Sequence, residues 1–118
     1  MHAEKLNSIK EARATLNLIN LEIAKFPIGS PTRLILEQAA VVLESLIWKL
    51  VHKDLKEITT DLKQHQSKLK KLNQEMDAAN SSLSKITAMI EKVSQMIGTL
   101  ASLVCLLIGM VIYGNSGF

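Results

Sequence analysis

The chain has 118 residues, with 14 Lys and Arg against 11 Asp and Glu and a formal net charge of +3, which is the length of one domain or of one small folded unit with an extension. Hydrophobic residues make up 47% but aromatics only 3%, so the apolar mass is Leu, Ile, Val, Met and Ala, the residues of helix bundles and coiled coils. A single cysteine, Cys105, excludes an internal disulfide and argues against a thiolate metal site, and the chain carries no catalytic motif and no Gly-rich phosphate loop.

The first residues, MHAEKLNSIKEARATL, mix acids with bases and lack an apolar core, so they read neither as a secretory signal nor as a mitochondrial presequence. From Ala3 to Phe26 there is no Gly or Pro. Apolar residues at Leu6, Ile9, Leu16, Ile19, Ile23 and Phe26 fall at helical spacing, which predicts an amphipathic helix over about 3–26. The next stretch, FPIGSPT, predicts a turn over 27–31. Pro27 biases Phe26 away from helix, Gly29 permits the turn, Ser30 suits an N-cap and Pro31 suits the first helical position.

From Thr32 to Ile97 no further Gly or Pro occurs. Leu34 to Val51 is apolar nearly all round, so it needs the first helix folded back on it and leaves one face for self-association. With Leu55 as position a, a heptad seam runs through Leu55, Ile58, Leu62, His65, Leu69, Leu72, Met76, Ala79, Leu83, Ile86, Ile90 and Val93. The weak helix formers Asn80-Ser81-Ser82 are the best candidate for a break. The register crosses them without a slip, which predicts one long coiled-coil helix over about 32–113.

No charged residue follows Lys92, and Met96 to Tyr113 is an eighteen-residue apolar run of about 27 Å as a helix, close to the roughly 30 Å hydrocarbon core of a bilayer. The outer heptad positions are charged along Leu55–Lys92 and uncharged afterwards, so water-facing residues vanish from every face. Gly98, Ser102, Cys105 and Gly109 form a small-residue stripe on which helices can pack closely in lipid. Lys85 and Lys92 flank the near side and no Lys or Arg follows the far side, which orients the N-terminal bulk to the cytosol by the positive-inside rule.

The charge is uneven along the chain: seven Lys oppose three acids over Lys49–Lys71, whereas the stretch before is balanced and the stretch after is acidic by one. KQHQSKLKK within it lacks interleaved aromatics and reads as a solvated helix face rather than a nucleic-acid site. His65 falls on a core d position, where a polar residue fixes register, or where protonation could set like charges together. Trp48 extrapolates to position a and reads as a packing anchor. In outline, a helical region, a heptad stretch and a C-terminal anchor resemble a SNARE. The Gln or Arg of that motif's central layer is missing, since Gln64 and Gln66 lie beside the seam.

The sequence therefore predicts an all-α protein: a helical hairpin (1–54), a heptad coiled coil (55–95), a transmembrane helix (96–113) and a short tail (114–118). The expected role is non-enzymatic and cofactor-free. It is a tail-anchored, parallel homo-oligomer of more than two copies in a lipid bilayer, forming a scaffold or pore. Two alternatives stay open: a tether that pairs with other helical proteins through its seam, and a soluble helical-bundle subunit of a larger assembly.

Overall fold

A computed structural model describes the backbone of residues 2–115 and the side chains of residues 2–107. Its elements are α1 (His2–Ile23), α2 (Pro31–His52), α3 (Leu55–Ala79), a 3-10 turn (Ser81–Leu83) and α4 (Ser84–Asn115), with no strand among the described residues. α1 packs on α2, α2 on α3, α3 on α4 and α4 on α1, with no diagonal pair among the described residues. The result is an up-down four-helix bundle measuring 57 × 24 × 20 Å. The start of α1, the α2–α3 junction and residues 104–107 of α4 meet at one end. The α1–α2 and α3–α4 turns lie at the other.

The α1–α2 turn is built from its local chemistry. Gly29 takes a positive φ of 85°, which only glycine adopts without strain. The Ser30 hydroxyl accepts a 3.3 Å bond from the Arg33 N–H, and Pro31 opens α2.

The single helix expected over 32–113 does not form; the run divides into α2, α3 and α4. At the first break Lys53 and Asp54 are extended (ψ 153° and 145°). The Lys53 N–H closes α2 on the Lys49 carbonyl at 2.9 Å, and the Glu57 N–H opens α3 on the Asp54 carbonyl at 3.0 Å. Asp54 followed by Glu57 three residues later is a helix-start signature, which the heptad reading passes over. At the second break Asn80 alone leaves helical backbone (φ −159°, ψ 103°). Its Oδ1 accepts from the Ser82 N–H at 3.0 Å and from the Ser82 hydroxyl at 2.6 Å. Because Ser81–Leu83 is itself helical in backbone, the chain reverses with almost no change in residue phase. An unbroken heptad count was therefore compatible with a turn.

One buried cluster draws on all four helices, so the residues expected to separate as hairpin and coil share a core. Fully burying a Leu or Ile side chain is worth about 1.5–3 kcal/mol, and Leu36, Leu43, Leu46, Leu50, Leu62, Leu69, Ile90, Ile97 and Leu100 are all at 0% exposure.

The expected face of α1 is the covered one except at Leu6: Ile19 is buried and Ile9, Leu16, Ile23 and Phe26 pack partly buried against the core, whereas Leu6 is 52% exposed. The buried centre also takes in Ser8, Ala12 and Thr15, which hydrophobic spacing does not mark. Small residues at the centre let α1 sit close to both α2 and α4. The hydroxyls of Ser8 and Thr15 are satisfied by the Glu4 and Glu11 carbonyls, each at 2.8 Å. On α2 the buried positions are Leu36, Ala39, Ala40, Leu43, Leu46 and Leu50. Trp48, expected as a packing anchor, is 52% exposed, because the Lys53-Asp54 break detaches the phase of α2 from that of α3.

Candidate functional site

α4 is the one helix among the described residues long and apolar enough to cross a membrane, and 39% of its most apolar window is buried in the bundle. Ile97, Leu100, Ala101 and Val104 face inward at 0–1% exposure, whereas Leu106 and Leu107 are 61% and 48% exposed. The helix thus serves as a bundle wall along its inner stripe while its outer face carries no charge beyond Lys92. The hydroxyl of Thr99, on that outer face, donates to the Gln95 carbonyl at 3.0 Å and is satisfied without water. Lys92, the last charged residue, reaches Glu11 of α1 at 3.5 Å.

Of the twelve seam positions, Ile58, Leu62, His65, Leu69, Leu72, Met76, Leu83, Ile86, Ile90 and Val93 are buried inside this one chain. Leu55 is half-buried and Ala79 exposed. The residues expected to face other copies pack against α1, α2 and each other across the α3–α4 pair. The sequence shows an apolar stripe but not whether its cover comes from the same chain.

His65 is 6% exposed. Its Nε2 lies 3.5 Å from Lys49 Nζ, which in turn reaches Asp61 at 3.4 Å, and its Nδ1 is buried without a hydrogen-bond partner among the described residues. Burial first, then the Lys49 and Lys68 charges, hold the imidazole below its ordinary pKa, with Asp61 opposing. The ring is accordingly neutral at physiological pH and acts as a core residue.

Two side chains of α3 tie it to the backbone of α4. Gln66 Nε2 donates to the Ser94 carbonyl at 3.1 Å, and Asn73 Nδ2 donates to the Thr87 carbonyl at 3.0 Å. Both donors are heptad e positions, as are both acceptors. Gly98 gives the Gln66 amide its room, since a Cβ there would collide with the amide nitrogen. Of the small-residue stripe, Gly98 is therefore already in use within the chain, Ser102 is exposed and Cys105 half-buried. Gly109 lies outside the described side chains. Lys63, Lys70 and Lys71 point to solvent from α3.

No protein-family model matches the chain, and no curated protein and no solved structure is significantly similar to it.

Proposed function

We propose that the chain is a non-enzymatic, self-associating membrane protein, a helical bundle that anchors through α4 and assembles as a scaffold or pore. The observation that supports it is the outer face of α4. A bundle bathed in water has no need to strip charge from its solvent side, yet nothing after Lys92 is charged. Hydrocarbon accepts every side chain from Met96 to Tyr113, and the Thr99 bond to Gln95 meets the requirement that polar groups be satisfied internally in lipid.

A span starting at Met96 takes the inner stripe of α4 away from its neighbours. Moving Ile97, Leu100 and Val104 from a protein core to hydrocarbon costs little, because both surroundings are apolar. The cost falls on Ile58 and Leu62, which are covered in the closed bundle. The same stripe on another copy is a matching cover, which links insertion to assembly as a parallel oligomer with the N-terminal bulk on the cytosolic side.

A second reading is favoured by the burial of Ile97, Leu100, Ala101 and Val104: a soluble helical-bundle subunit with α4 as its core helix. Fractionation with and without detergent, followed by mass determination, separates the two. Recovery only in detergent as one defined oligomer supports the membrane protein, and dye flux through liposomes then divides pore from scaffold. A detergent-free monomer that ignores vesicles overturns the proposal in favour of the soluble bundle.

A further inference from the structure

We propose that the end of the bundle from which α4 departs is a lipid-docking surface, which holds the closed bundle against a bilayer at headgroup depth. This deepens the membrane reading and rests on it.

Five exposed apolar side chains lie at this end: Leu6, Trp48, Val51, Leu106 and Leu107 are 52%, 52%, 45%, 61% and 48% exposed. Leu21, Ile28, Leu34 and Val41 are exposed as well but lie toward the α1–α2 turn or midway along α2, away from the tryptophan and from the uncharged tip of α4. Lys5, Lys53 and Lys56 stand among the five at this end. Lys5 Nζ donates to the Lys53 carbonyl at 3.1 Å, which ties the start of α1 to the junction. Lys5 and Lys56 also share a cleft with Val104 and Leu107. Trp48 stacks on His52 with ring centroids 4.7 Å apart, and Lys53 Nζ sits 6.0 Å from the Trp48 ring. Trp and Lys beside exposed aliphatic groups are the side chains that favour the membrane–water interface. Three acids, Glu4, Asp54 and Glu57, share this end, so the attraction to anionic lipid is modest and apolar contact carries most of the affinity.

Length selects a bilayer as the occupant. Past Leu107 the helix runs on to Asn115, a further eight residues whose sequence, IGMVIYGN, has no charge. That is about 12 Å at ~1.5 Å per residue, less than half of a roughly 30 Å hydrocarbon core. With α4 still packed on α1 and α3, the stretch from Leu107 to Asn115 is the length of one leaflet. The closed bundle is thus shaped to dock. Crossing is a separate step that requires residues 96–107 to leave the core.

Trp48 is the only tryptophan, so the intact chain reports on this end directly. The chain is mixed with phosphatidylcholine vesicles, with or without phosphatidylglycerol, and floated. Trp48 emission is then read with nitroxides placed shallow or deep on the lipid chains. The proposal expects flotation, a blue shift, and stronger quenching by the shallow nitroxide. On anionic vesicles, Lys53→Gln and Lys56→Gln should each weaken binding by roughly fivefold. Both side chains are exposed, and unchanged helical circular dichroism checks that the fold is kept. Flotation with Trp48 unquenched overturns the docking surface and leaves the membrane reading standing. Stronger quenching by the deep nitroxide overturns the docked, closed state. Failure to float overturns docking and the membrane reading together.

Discussion

α3 and α4 bury the same kind of stripe and differ on the opposite face. α3 turns Lys56, Lys63, Lys70 and Lys71 outward, while α4 after Lys92 turns out Thr99, Ser102, Leu106 and Leu107. Inner stripes decide what folds with what; they read alike in the two helices because both line one core. The outer face decides which solvent the helix tolerates. Water serves the outside of α3. The outside of α4 from Thr99 to Leu107 carries no charge and is equally at home in hydrocarbon.

The largest effect should come from breaking the inner stripe. Leu69 is at 0% exposure, and Leu69→Ala should cost about 2–5 kcal/mol through lost burial and the cavity left behind. A urea titration followed by circular dichroism measures it, and a loss below about 0.5 kcal/mol, the size of an ordinary surface change, would mean the stripe is not covered within the chain. Breaking the outer face should separate stability from membrane affinity. Leu106→Lys should leave unfolding within about 0.5 kcal/mol of the parent and lower vesicle insertion by about 3 kcal/mol. Lys63→Gln on α3 should change neither, and equal effects of the two would erase the contrast between the helices.

His65 gives a third, smaller test. Its folded pKa lies below the ordinary value, so the unfolded chain binds a proton that the native chain refuses. Stability from this residue is full above about 6.5, the unfolded value, and falls as pH drops below it toward the folded value. Urea midpoints measured on both sides of that value should decline on the acid side, and His65→Leu should flatten the decline. A parent profile no steeper than that of the variant would refute it. The smallest effect is at Gly98. Gly98→Ala alone should be near neutral, because a helix gain of about 0.8–1.0 kcal/mol is offset by displacing the Gln66 amide from the Ser94 carbonyl. In a Gln66→Ala background the same change should show the gain nearly whole. Equal effects in both backgrounds would deny the clasp.

Much of this architecture is legible in the sequence, for reasons that differ by residue. Gly29, Ser30 and Pro31 mark a turn because each suits one backbone position there. The apolar stripe from Ile58 onward marks inward faces because burial follows helical period. The break at Asn80 was hidden by its own geometry, a reversal made with one extended residue and a 3-10 turn that leaves the heptad phase intact. The break at Asp54 was announced only by Glu57 three residues on. The centre of α1 escaped because Ser8, Ala12 and Thr15 are small and partly polar, while hydrophobic spacing directs attention to Leu6. For the candidate site, hydropathy locates Met96–Tyr113 but says nothing of which side of that helix the rest of the chain covers.

The turn at Asn80 also bears on how two copies could meet. Because the stripe is in phase on both sides of it, returning that one residue to helical dihedrals would join α3 and α4 into a single rod with an uninterrupted seam. Two such rods could exchange their α4 arms and rebuild the contacts of α4 with α1 and α3 between chains, a domain-swapped dimer made from monomer contacts. Asn80→Ala, which removes the acceptor for Ser82 and favours helix, should raise the fraction of dimer seen by light scattering at high concentration. An unchanged monomer at all concentrations would show that the hinge is held by more than Asn80.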